Sequence, residues 1–230
     1  MSWPRSGRCP RSGDRGRKQR EPVASVILPI FPLPDVTFFP HTLLPLHVFE
    51  ARYRAMIVDT LARDRQIAVV KLQPGYESSY AGRPAVHPVA GAGEIVSWER
   101  LATGRYNILV KGSMRVRIAS ERPSDTLYRI VTAERLDDVE STTDAEPMLA
   151  RIRDACGRLL RALERPPDLL DTALAAGQPP GAIADRIAAR VVPDPRLRQE
   201  LLETLDVGRR LDRLALALDE LINELRGGRE

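Results

Sequence analysis

"LPIFPLPDVTFFPHTLLPLHVFEARY", residues 28–53, decides how this chain is read. It holds all four phenylalanines of the protein, five prolines (Pro29, Pro32, Pro34, Pro40 and Pro45), and two of the three histidines, His41 and His47. Each proline fixes its own φ and lacks an amide hydrogen, so together they forbid an interior helix and disfavour a central strand. The stretch then divides into an edge-like strand, "SVILPIFPL" (25–33), a turn, "PDVTFFPHT" (34–42), and an extended "LLPLHVF" (43–49) that enters a helix. Phe31 and Phe49 are expected to point inward. Phe38 and Phe39 are adjacent in extended chain, where neighbouring side chains point to opposite sides; one of the two is expected to stay exposed beside the turn.

Working outward, "FEARYRAMIVDTLARD" (49–64) places Phe49, Tyr53, Met56, Ile57 and Leu61 at helical spacing, with Glu50 expected in the first turn, where a carboxylate suits the positive end of the helix dipole. Beyond it the period becomes two. "IAVVKL" (67–72) and "EIVSW" (94–98) are short apolar runs, and in "RYNILVKGSMRVRI" (105–118) Tyr106, Ile108, Val110, Met114, Val116 and Ile118 share one parity. Gly112 falls on that apolar parity without a side chain, which predicts a bend or bulge where a neighbour comes close. The Thr103-Gly104 pair supplies a turn before this strand, and "LYRIVTAERL" (127–136) is the next strand. "QPGYESSYAGRPAVHPVAGAG" (73–93) is expected as a long loop with a short strand at its end.

After about residue 139 the period turns helical. Pro147 suits a first helical position, with Asp144 and Glu146 near that N-terminus, and Met148, Ile152, Cys156, Leu159 and Leu163 form a face. Two short helices separated by Pro and Gly follow. Val207, Leu211, Leu214, Leu218, Leu221 and Leu225 then recur at 4-3 spacing, which predicts a bundle-packing seam. The organisation expected is α+β: a basic disordered tail over 1–22, a β-rich unit over 23–138 and a helical unit over 139–230.

The charge must be split before it is interpreted. The chain totals +4, but residues 1–22 carry seven basic side chains against Asp14 and Glu21, or +5, which leaves −1 for the rest. The tail could hold acidic partners weakly. Of 35 basic residues only Lys18, Lys71 and Lys111 are lysine, a bias read as base composition rather than as a nucleic-acid signature. No apolar run approaches the roughly 18–20 residues of a membrane-spanning helix. The N-terminus has no apolar segment of a secretory signal. Two distant cysteines, Cys9 and Cys156, speak against a disulfide framework and for a reducing cytoplasm.

The chemistry is marked by absent motifs. The chain has no Gly-Lys dipeptide, hence no P-loop, and no G-x-S-x-G elbow. His41, His47 and His87 do not make a zinc spacing. Cys156 on an apolar helix face reads as a small core residue. No catalytic residue, metal or cofactor is expected.

Three separated stretches carry a resemblance. "LPIFPLPDVTFFPHTLLPLHVFEARYRAMI" resembles the opening motif of the N-terminal, substrate-binding domain of Lon proteases, in the "LPLHVFE-x-RY" variant of stand-alone bacterial members without AAA+ and protease domains. "GRYNILVKGSMRVRI" is similar to that family's strand signature, and "RQELLETLDVGRRLDRLALALDELINEL" to its closing helices. The resemblance spans about residues 25–226. It implies a PUA-like β pseudo-barrel with one inserted helix, followed by a C-terminal helical bundle. It also implies a domain that recognises and holds polypeptide. Pro29, Pro40, Pro45, His47, Phe49, Glu50, Arg52 and Tyr53 match the first signature, and Gly104, Arg105, Gly112 and Arg115 the second. Most are expected to be structural: Glu50 and Arg52 as a salt bridge or cap, His47 as a hydrogen-bonded junction residue, Arg115 and Arg117 as a solvated strand face.

The expected function is non-enzymatic, ATP-independent binding of unfolded or partly folded polypeptide in cytoplasmic protein quality control, as adaptor or holdase, with a chaperone or protease as collaborator. Phe38, Phe39, Leu43 and Leu44 are the expected contact residues. RNA binding, which PUA-like barrels elsewhere perform, is the alternative; the charge of −1 outside the tail speaks against nucleic acid, and no membrane partner is expected.

Overall fold

The computed structural model describes residues 24–80, 82–140 and 144–227. The expected tail over 1–22 lies outside them. Six strands precede residue 137: β1 (Ser25–Leu33), β2 (Leu43–Val48), β3 (Gln66–Lys71), β4 (Val89–Arg100), β5 (Tyr106–Arg122) and β6 (Ile130–Leu136), with helix α1 (Ala51–Leu61) between β2 and β3. Helices α2 (Glu146–Ala162), α3 (Asp171–Leu174), α4 (Pro180–Val191), α5 (Pro195–Glu203) and α6 (Val207–Gly227) follow.

The sheet runs β2-β5-β4-β3-β1-β6, and β6 pairs also with β5, so five strands close into a barrel with β2 added outside the ring. The 17-residue β5 makes closure possible by serving two partners in turn. Residues 106–111 pair with β2, and residues 115–122 pair with β6. Register shifts at Ala92/Gly93 and Ile95/Ser97 of β4 and at Ile118/Ser120 of β5 bend the strands, as closure of a short barrel requires.

The strand β1 corrects the sequence expectation: it is not an edge but lies between β3 and β6. Its prolines are tolerated because each half has one ladder. Residues 25–29 pair with β6 and residues 30–33 with β3. The Ile30 N–H donates to Arg129 O, so even-numbered positions face β6 and odd-numbered ones face β3. Pro29 thus faces β3 before that ladder begins, and Pro32 faces β6 after that ladder has ended.

Three apolar clusters fill the molecule. One draws on strands alone: Leu28, Ile30, Ala68, Val70, Ala90, Ala92, Val116, Val131 and Ala133 pack inside the barrel, where small side chains suit the narrow bore. A second lies between the sheet and α1 and joins Phe31, Phe38, Tyr53, Met56, Ile57, Ile67 and Val69. The third is the helical core, in which Val207, Leu211, Leu214 and Leu218 of α6 are buried with Ile152, Cys156 and Leu159 of α2 and Ile183 and Ile187 of α4. Pro147 sits in the first turn of α2, where its missing amide hydrogen costs no helical bond, and Asp144 Oδ1 accepts from Glu146 N at 3.0 Å.

Phe49 departs from expectation. It is 58% exposed and stacks on His47, with ring centroids 6.3 Å apart. It lies just before the helix on the outward parity of β2, so the chain carries it away from the core.

Candidate functional site

Between β1 and β2 the chain crosses the sheet as a turn whose backbone lies directly on β4 and β5. A Cβ on Gly91 would collide with Phe38 O, and one on Gly112 with Phe39 O. Glycine is therefore required at both places for close approach rather than for backbone freedom. The two phenylalanines part here. Phe38, 2% exposed, enters the cluster beneath α1, while Phe39, 0% exposed, enters the helical core. The expectation that one would be exposed is corrected: adjacent side chains do point to opposite sides, but an apolar core waits on each side.

Arginines from the helical half hold the turn at both ends. Arg198 of α5 donates to Asp35 O at 2.9 Å, and Arg186 of α4 donates to His41 O at 3.1 Å and to Gln178 Oε1 at 3.1 Å. His41 takes a left-handed backbone, φ 62°. Between turn and helices opens a cleft of 720 Å³. Phe38, Leu43 and Leu44 line it on the barrel side, and Ala175 and Ala189 on the helical side. Of the expected contact residues, the cleft gathers these three and not Phe39. Leu43 is the most open, at 59%.

The cleft's charges follow no motif of the sequence. Lys111 of β5 and Arg186, Arg190 and Arg198 from the helices line it, against Asp35 as the one carboxylate. His41 also lines it; burial lowers its pKa below the usual histidine value, opposed by Asp185 and reinforced by Arg186.

Behind the cleft the halves are joined by a buried ionic seam. Arg115 of β5, expected on a solvated face, is buried: it donates to Leu202 O at 2.9 Å, to Asp138 Oδ1 at 3.3 Å and to Asp185 Oδ1 of α4. Arg210 of α6, 0% exposed, holds Asp138 with two bonds of 2.9 and 2.5 Å and Thr204 O at 2.9 Å, and its Nε lies 3.5 Å from Asp185. Burial alone would raise the Asp138 carboxyl, but the hydrogen bonds and charge of Arg210 and the charge of Arg115 outweigh it and hold the pKa below the ordinary value. For Asp185 burial wins and pushes the carboxyl up against both guanidiniums. Gly181 of α4 leaves the room this seam needs, since a Cβ there would meet Asp138 Oδ2 and lie 2.6 Å from an Arg210 guanidinium nitrogen.

The other motif residues brace the barrel away from the cleft. Glu50 is the N-cap of α1 rather than part of its first turn, and its carboxylate caps no amide. It pairs with Arg52 at 2.9 Å and accepts from Tyr80 Oη at 2.8 Å. Arg52 also lies over the Tyr53 and Tyr80 rings and donates to Tyr80 O, so it pins the long loop to the helix. Tyr53 packs 4.3 Å from Phe31, and burial pushes its phenol up to about 12. His47 Nδ1 bonds Asn107 Oδ1 at 2.8 Å. Pro40 is buried, Gly104 supplies the positive φ of 76° in the β4–β5 turn, and Arg105 beside it is exposed. Among the described residues no group of three or more His, Cys, Asp or Glu could hold a metal, and no helix is long and apolar enough to cross a membrane.

A family model for the ATP-dependent protease La (LON) substrate-binding domain matches residues 27–220. Lon protease of Desulfosudis oleivorans is 23% identical over 201 residues, covering 87% of this chain and 25% of that protein. Lon protease of Xanthomonas oryzae pv. oryzae is 27% identical over 212 residues, 91% of this chain and 25% of that protein. The chain thus spans about a quarter of the length of these curated relatives. Among solved structures, the N-terminal domain of Mycobacterium avium complex Lon protease superposes with a TM-score of 0.68 at 18% identity, covering 84% of this chain and 98% of that one. A Lon N-terminal domain protein from Xanthomonas campestris gives 0.60 at 22%, covering 82% and 96%. Both share the fold. With 27–220 matched, the chain belongs to the family of the LON substrate-binding domain.

Proposed function

We propose that this chain is a non-enzymatic module that binds exposed apolar segments of unfolded or partly folded polypeptide. It would act without ATP in cytoplasmic quality control, as adaptor or holdase beside a separate chaperone or protease. The observation that carries the reading is the cleft between turn and helices, where Leu43 is 59% exposed next to Leu44 and the edge of Phe38. An open, partly apolar cleft of 720 Å³ is of a size to take a few side chains of an extended segment. Burial at roughly 25 cal/mol per Å², less the cost of ordering a flexible chain, gives weak and broad binding, as a receptor for many clients needs.

Replacing Leu43 by Ser tests this. The side chain contributes little to the core, so stability should stay within about 0.5 kcal/mol of the unaltered chain. Capture of a fluorescently labelled, permanently unfolded client should weaken several-fold. Unchanged capture, with folding intact, would remove the cleft as the client site.

A further inference from the structure

Every wall of the cleft contributes a cation, and these cations differ in what holds them. Arg186 and Arg198 are engaged with backbone carbonyls of the turn, His41 O and Asp35 O, which accept hydrogen bonds but do not neutralise charge. The side chains of Lys111 and Arg190, both exposed, make no hydrogen bond or ion pair among the described residues. Asp35 is the one carboxylate of the lining. Four permanent cations thus face one anion around the apolar patch of Leu43 and Leu44.

The arginine-rich composition does not explain this. A second cleft, of 870 Å³, lies on the other side of α5 and also borders Asp35. Its lining has the opposite sign: Glu77, Asp194, Glu200 and Glu203 join Asp35 against Lys71 and Arg196, with His87. The chain outside residues 1–22 sums to −1, so the positive cleft stands out from a nearly neutral body.

We infer that the cleft selects polypeptide segments in which an apolar anchor is flanked by Asp or Glu. The apolar side chain lies on Leu43 and Leu44, and the flanking carboxylates reach Lys111 on the barrel wall and Arg190 on the helical wall. This deepens the polypeptide-binding reading and rests on it. A segment flanked by lysine would meet like charge on both sides, so the cleft rejects basic clients as well as attracting acidic ones. Two partly exposed ion pairs amount to about five- to tenfold in affinity, and salt should erode that preference.

The test uses the full chain and three fluorescent peptides with one apolar core, flanked by Glu, by Gln or by Lys. Binding is measured by anisotropy at low and high salt for the unaltered chain, K111E/R190E, the milder K111Q/R190Q and L43S. Residues 1–22 are common to all four proteins, so differences between them report the cleft. The expected order is Glu tighter than Gln by about five- to tenfold and Gln tighter than Lys. K111Q/R190Q should flatten the order, K111E/R190E should reverse it, and L43S should weaken all three peptides alike. Equal binding of the Glu and Gln peptides, with L43S still weakening both, overturns the charge selection and leaves polypeptide binding standing. Failure to bind any peptide overturns both. A single-stranded RNA that binds the unaltered chain and is lost in K111Q/R190Q, with the peptide order unmoved, overturns the inference in favour of nucleic acid.

Discussion

The interior of the barrel and the junction between the halves are both largely closed to water but built of opposite materials. The barrel holds Ala68, Ala90, Ala92 and Ala133 among Leu, Ile and Val, with no charge. The junction holds Arg115, Arg210 and Asp185, fully buried, and Asp138 at its rim. An apolar core is non-directional and tolerates changes that keep its volume. A seam of guanidinium and carboxylate works only at one spacing and orientation, because an unpaired buried charge is so costly. The cores fill each half, with Phe39 and Val89 of the β-rich half reaching into the helical core, and the seam adds one fixed spacing and orientation between the halves. That relation sets the shape of the cleft, since Leu43 and Lys111 come from one half and Arg186 and Arg190 from the other.

The seam can be broken most directly at Arg210. In Arg210→Ala, Asp138 loses its bidentate partner and Asp185 keeps only Arg115, so unfolding in urea should show a loss of about 3–5 kcal/mol. A loss below about 1 kcal/mol would mean the seam contributes no more than a surface pair. A subtler probe leaves every charge in place. Gly181→Ala puts a methyl group against Asp138 and Arg210 and should cost about 1–3 kcal/mol, read as a lower urea midpoint with an unchanged slope. If it is neutral, the seam has slack and does not set the spacing.

The smallest effect sharpens the apolar side of the comparison. Burial pushes the Cys156 thiol up to about 12, so the reactive thiolate is scarce at pH 8. In a Cys9→Ser background, native protein should react negligibly with a maleimide at pH 8 and fully after unfolding. Appreciable reaction of the folded protein would show that the helical core opens locally without global unfolding.

Much of the architecture is legible in one dimension because it is periodic. The alternation over 105–118 and the 4-3 seam from Val207 to Leu225 need only local neighbours to be seen, and Gly112 announces a close approach by lacking a side chain where the pattern wants one. The ends of the story are not local. Arg115 has the parity of a surface residue, and nothing nearby reveals that Asp185 lies against it, 70 positions along the chain. Phe38 and Phe39 obey the alternation rule, yet the rule cannot say that both sides are core. Leu43 and Leu44, which line the cleft, stand out in the sequence only as neighbours of the proline-rich turn. Lys111, Arg186 and Arg190 carry no such mark, because each looks like an ordinary solvated residue until two halves of the chain are set side by side.

The closing strand β6 has a consequence for how the protein comes into being. Ser25 pairs with Glu134, and Arg122 with Ile130, so the ring cannot shut on a growing chain until β6 has left the ribosome. The helical wall follows later still, ending with Arg198 of α5. A nascent chain therefore has no cleft: the cleft is assembled only after the barrel that forms one of its walls can close.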